Sequence, residues 1–122
     1  LICGTWIEEE KKSHIEIYKN VDGFYEGKIV WLAEPKDANG IIKLDEKNPD
    51  KQRQNQPIHG LIIIKNLSFI KDKKWADGTI YDARSGKKYN LNATLENKNT
   101  LFLRGYLGFS LIGKTTTWKR IK

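Results

Sequence analysis

Lys87-Lys88-Tyr89-Asn90-Leu91-Asn92-Ala93-Thr94-Leu95 is the stretch that decides the fold. Tyr89, Leu91, Ala93 and Leu95 alternate with the polar Lys88, Asn90, Asn92 and Thr94. That period of two marks a strand with one buried and one wet face. Working outward, similar β-rich segments are expected at about 59–69, 74–82, 100–107 and 114–121. Asp72-Lys73, Ser85-Gly86, Asn97-Lys98-Asn99 and the 108–113 stretch separate them. Toward the start, residues 1–8 and 13–21 read as two strands, the second alternating Ile15 and Ile17 with His14, Glu16 and Tyr18. Asp22-Gly23 then sits between β-rich runs, a strong hairpin signal that pairs 13–21 with 24–32. No stretch holds apolar residues at helical spacing, so helix is expected to be confined to a turn or two.

Residues 33–57 break the pattern. Lys, Asp, Asn, Gln and Pro dominate there, and the segment reads as one long surface loop. Eight short strands with turns every 8 to 12 residues or so suit a sandwich or an up-and-down barrel, and closure removes exposed sheet edges. The expectation is therefore all-β: a closed or nearly closed antiparallel barrel of about eight strands, one domain over residues 1–122. Such a barrel has room for packed side chains or one small ligand.

Composition narrows the classes of function. At 122 residues, with 39% hydrophobic and 30% charged residues, the chain has enough apolar material for one core. Its longest apolar run, Leu61-Ile62-Ile63-Ile64, is far below the roughly 18 residues of a membrane-spanning helix. A single cysteine, Cys3, excludes an internal disulfide and leaves the compartment open. Leu1-Ile2-Cys3 lacks the basic and long apolar regions of a signal peptide, so any export or lipoprotein segment would have been removed from the residues given. The formal charge of +7 favours anionic partners, yet the lysines fall in nearly every turn, as a solvated surface requires.

Chemical motifs are scarce. Gly108-Phe109-Ser110-Leu111-Ile112-Gly113-Lys114-Thr115 satisfies the phosphate-loop pattern, but a phosphate loop runs from a parallel strand into a helix, and Thr115-Thr116-Thr117-Trp118 is β-rich. Phe109, Leu111 and Ile112 are instead expected to fold back over the barrel end; left exposed, they would line a ligand portal or touch a membrane or partner. His14 and His59 lack zinc-ligand spacing, no serine lies in a nucleophile elbow, and Cys3 reads as a small strand residue. Asp45, Glu46, Asn48 and Asp50 cluster oxygen atoms without the glycine and spacing of a calcium loop, so turn and surface duty is expected of them. No catalytic residue, metal site or cofactor is expected.

The two ends of the chain carry a resemblance. Gly4-Thr5-Trp6 with Trp118-Lys119-Arg120 resembles the calycin signature of lipocalins and fatty-acid-binding proteins, which implies a first-strand tryptophan covered by a last-strand basic residue. Gly4, Trp6, Trp118 and Arg120 are then the closure residues. A more specific match runs along the chain: Asp22-Gly23-x-Tyr25-x-Gly27-Lys28-Ile29-Val30-Trp31-Leu32, Asp45-x-x-Asn48-Pro49-Asp50, Gly60-Leu61, Trp75-x-x-Gly78-x-Ile80-Tyr81-Asp82, Gly86-Lys87-x-Tyr89, Leu103-Arg104-Gly105-Tyr106 and Thr117-Trp118-x-Arg120. It resembles bacterial domain-of-unknown-function family 2147, departing at Ala83, where proline is common, and Tyr106, where cysteine is frequent. The resemblance implies a small exported protein of the periplasm or envelope and no assigned activity.

Trp31, Trp75, Tyr81, Tyr89, Arg104, Trp118 and Arg120 form the candidate ligand set. Those that face inward would build an apolar cavity with a few polar anchors, Arg104 or Arg120 pairing an acidic head group; the plainer alternative is that they are simply core. Three readings stand at this point. The first is a noncatalytic binder of a small apolar or amphipathic, lipid-like ligand. The second is an adaptor that binds protein or polysaccharide through its surface. The third, a barrel binding single-stranded nucleic acid, is disfavoured because closure would put many aromatics inside.

Overall fold

The computed structural model describes residues 1–107 and 113–122. Its strands are β1 (Gly4–Ile7), β2 (Ser13–Lys19), β3 (Tyr25–Leu32), β4 (Ile62–Lys71), β5 (Lys74–Asp82), β6 (Lys87–Asn97), β7 (Thr100–Tyr106) and β8 (Gly113–Arg120). Each pairs antiparallel with the next, and β8 returns to β1 through Trp6 opposite Arg120 and Ile7 opposite Lys119, closing the barrel. The helical content of the described residues is one 3₁₀ turn, Lys51–Arg53, capped by the Asp50 side chain accepting from Gln52 N. No helix among them is long and apolar enough to cross a membrane.

The Asp22-Gly23 signal is borne out. Gly23 has φ 89°, and Asn20 Oδ1 accepts from the backbone N–H groups of Asp22 and Phe24, turning β2 into β3. The long loop is also real, running from the end of β3 to Ile62 and tacked down by isolated bridges between Lys36 and Ile42 and between Leu44 and Pro57. Gly113-Lys114-Thr115, the end of the phosphate-loop lookalike, opens strand β8. A strand there, where a phosphate loop needs a helix, removes the nucleotide reading; residues 108–112, including Phe109, Leu111 and Ile112, lie outside the described residues.

An up-and-down barrel has two unlike ends. The β2–β3, β4–β5 and β6–β7 turns share one end with both chain termini, and the long loop and the remaining turns share the other. At the terminal end the interior is solid: Trp6, Ile17, Leu67, Trp75, Leu95, Leu101 and Trp118 are all buried. Over this plug lies Arg120, its guanidinium carbon 4.4 Å from the centre of the Trp6 ring. The guanidinium donates to Cys3 O and, through Nε, to Lys98 O, both at 2.7 Å, and also to Leu1 O, while Trp6 Nε1 donates to Ile2 O at 2.9 Å. One cation thereby ties the incoming chain and the β6–β7 turn to the last strand. Gly4 makes room for it, because its φ of 140° suits glycine and a Cβ there would run into Arg120 Nη1 and Lys122 O. Of the four expected closure residues, Gly4, Trp6 and Arg120 meet here, and Trp118, two positions before Arg120 on β8, is buried in the core.

Trp6→Ala should destabilise the protein by about 3 to 5 kcal/mol through transfer and cavity terms, and Arg120→Ala by about 1 to 3 kcal/mol through lost charged hydrogen bonds and the ring contact. A double-mutant cycle from denaturant melts should show coupling above about 0.5 kcal/mol. Strictly additive losses would mean that the guanidinium does not depend on the ring.

Candidate ligand-binding site

At the end opposite the plug the inward-facing described residues are less completely buried. Leu32, Ile80, Tyr89, Gly105 and Thr116 lie on inward faces, as their cross-strand partners show: Leu32 opposes Ser13 in line with buried Ile15, Ile80 opposes Tyr89, Gly105 opposes buried Leu91, and Thr116 opposes buried Leu103. All five nevertheless stay partly exposed. Among the described residues, this half of the barrel is less completely buried than the plugged half. A Cβ on Gly105 would meet Tyr89 Cβ at 3.6 Å and Ile80 Cγ2 at 3.9 Å, ordinary contact distances, so a side chain could start there without a collision. Leu32 and Ile80 give this half, the mouth, an apolar inner wall, and by the same register Ser13, Asp82, Lys87 and Lys114 join the Tyr89 and Thr116 hydroxyls as a polar rim.

The seven candidate ligand residues separate into four places. Tyr89 is at the mouth. Trp75 and Trp118 face inward but are core, 2% and 5% exposed. Trp75 packs edge-on against Phe69 and Tyr25, with ring centres 5.4 and 6.1 Å away, and its buried Nε1 has no hydrogen-bond partner among the described residues. Arg120 covers the closed end with its donors taken by backbone carbonyls, so it is not a head-group anchor. Trp31, Tyr81 and Arg104 face outward and leave the interior set.

Each outward placement has a physical reason. Between Ile29, opposite Ile15, and Trp31, opposite His14, Val30 is an extra residue, and this bulge turns Trp31 to the outer face. There it is 41% exposed and stacks on His14 with ring centres 4.2 Å apart. A second bulge, at Asp77 with φ 64°, sets three residues of β5 against two of β6 and moves the inward positions from odd to even numbers: Gly78 and Ile80 point in, Thr79 and Tyr81 out. Arg104 alternates with buried Leu103 and opposes Asn92 and Thr115, on the outer face.

Tyr81 instead holds the long loop. Its hydroxyl donates to Asp45 Oδ1 at 2.7 Å, Asn48 Nδ2 donates to Asp45 Oδ2 at 2.8 Å, and Asp45 N donates to Gln56 O at 2.8 Å. Asp45 is fully buried, which corrects the expectation of a surface role. A carboxylate in that position must be satisfied by donors, and two side chains aim at it. Beside it, Gly86 (φ 76°) lets the β5–β6 turn touch Lys47 O, where any Cβ would collide. No group of histidine, cysteine or carboxylate residues among the described residues is placed to hold a metal.

Burial, then the hydrogen bond to Asp45, pushes the Tyr81 phenol up to about 12; burial and the 2.9 Å bond to Glu26 do the same for Tyr18. A phenol whose pKa is raised on folding contributes stability that is complete below pH 10 and lost as pH rises from 10 through 12. Ultraviolet titration should therefore show two of the five tyrosines ionising late. Tyr81→Phe should remove one late transition and cost about 1 to 3 kcal/mol, since it strips a donor from a buried carboxylate. Five tyrosines titrating together near 10 would contradict the Asp45 contact.

Among curated proteins none matches this chain. Its fold is similar to that of protein HP1028 from the human pathogen Helicobacter pylori, which belongs to the lipocalin family. The TM-score is 0.86 at 23% identity, covering 100% of this chain and 84% of that one. At that identity the likeness is one of fold. The family model described as an uncharacterized protein conserved in bacteria, DUF2147, matches residues 4–120, and the chain belongs to that family.

Proposed function

We propose that this protein is a noncatalytic binder of a small apolar or amphipathic, lipid-like molecule, taken into the open half of the barrel. The observation that carries the reading is the asymmetry of the interior: tryptophans and aliphatic side chains fill one half, while inward-facing Leu32, Ile80, Tyr89, Gly105 and Thr116 remain partly exposed in the other. An apolar inner wall that ends in a polar rim suits an acyl or similar apolar body, oriented by a polar end near that rim. Likeness in fold to a protein of the lipocalin family supports it. An envelope location goes with this reading, supported by the exported character that the family resemblance implies. The runner-up, an adaptor docking through its surface, has the exposed Trp31–His14 stack in its favour.

Native mass spectrometry of gently purified protein should find a copurifying small molecule. In parallel, a dansyl-labelled undecanoic acid should bind with a blue-shifted emission, and Gly105→Leu, which puts a side chain into the mouth without a backbone collision, should weaken that binding at least tenfold while leaving the melting temperature within a few degrees. Undiminished binding by that variant, or an absence of binding together with an empty mass spectrum, would reject the interior site.

A further inference from the structure

A second concavity lies outside the barrel wall. It is a cleft of about 760 Å³ between the outer face of β4–β6 and the 48–60 part of the long loop. Lys65, Thr79, Tyr81 and Lys88 line its floor: Lys65 opposes Thr79, and Lys88 opposes Tyr81, all on the outward side of the sheet. Arg53, Asp50, Pro49 and Pro57 come from the loop, and buried Ile63 adds an apolar base. The loop is tied to this floor at Tyr81 through Asp45, and braced within itself by Asp45 N to Gln56 O and by Gln54 Nε2 to Asn48 O at 2.9 Å, so it stands as a fixed wall beside the rest of the floor. The gap is thus part of the fold.

Its charge is one-sided. Three cations, Arg53, Lys65 and Lys88, line it with one carboxylate, Asp50, and the buried Asp45 carboxylate lies behind Tyr81, so the lining is net cationic. Asp50 lies 3.4 Å from Arg53 in an exposed pair, and no ion pair of Lys65 or Lys88 is found among the described residues. His59 is turned away from this role, its Nε2 lying 3.1 Å from Val30 O. A concave wall carrying uncompensated charge of one sign concentrates the field and draws in the opposite ion.

We propose that this cleft binds a phosphate monoester with a small apolar body. A phosphate monoester carries about −1.5 to −2 at neutral pH, opposite in sign to this lining. Lys65 and Lys88 take the phosphate, with the Thr79 hydroxyl as a further donor, and the apolar body rests on Ile63 between Pro49 and Pro57. The site is separate from the barrel mouth, since Lys65 and Lys88 are on the opposite side of the wall from Ile80 and Tyr89.

Calorimetry with hexyl phosphate at low salt tests this, with inorganic phosphate, hexanol and hexanoate as partial probes. Hexyl phosphate should bind more tightly than each of the three, and the Lys65→Gln, Lys88→Gln double variant should weaken it at least tenfold. Both lysines are exposed, so the variant's thermal melt should match that of the parent and certify its fold. Gly105→Leu should leave hexyl phosphate binding unchanged, which keeps this result independent of the barrel site. Failure of hexyl phosphate to bind at millimolar concentration, binding indifferent to the double variant, or hexanoate binding equally well would each overturn the proposal.

Discussion

Arg120 lying across Trp6 is the contact on which the rest of the molecule depends. It joins the last strand to the first, and an eight-stranded sheet that closes must face one set of side chains inward all the way round. From that follow the buried tryptophans, the solid terminal end and the location of the mouth. The guanidinium also accounts for its own surroundings. It needs Gly4 bare, it uses three backbone carbonyls as acceptors, and it shields the upper surface of an indole that would otherwise face water.

Closure at one end gives the barrel a direction. Three buried tryptophans occupy the plugged half, whereas the other half presents the small Gly105 and Thr116 on its inward face. The long loop contributes from the outside. It is fixed against β5 through the buried Asp45 carboxylate, standing off the outer wall far enough to leave a cationic cleft. The two proposed sites differ in chemistry: the interior one has an apolar wall below a polar rim, the exterior one carries three cations around an apolar base.

The alternation at Tyr89, Leu91, Ala93 and Leu95 was legible because strand β6 is regular over those residues, and each of them lies on the inward face. Turn residues located the hairpins for the same local reason. Trp31 and Tyr81 were not legible from periodicity. Counting by twos from Ile29 or Trp75 puts both inside, and only the bulges at Val30 and Asp77 reverse them. Arg104 needed no such information, since the alternation of Leu101 and Leu103 already excludes it from the interior. Asp45 had no local signal at all: its burial comes from a partner 36 positions away, in a loop whose composition reads as solvent-exposed.

The central claim, that the barrel is sealed by the Arg120–Trp6 contact and accessible from the other end, is tested most directly by methyl NMR with dissolved molecular oxygen, a small apolar paramagnet that enters accessible apolar space. The account predicts strong relaxation enhancement at the methyl groups of Leu32 and Ile80 and little at those of Ile17, Leu67 and Leu101. Equal enhancement at both ends, or enhancement concentrated on Ile17 and Leu101, would contradict it.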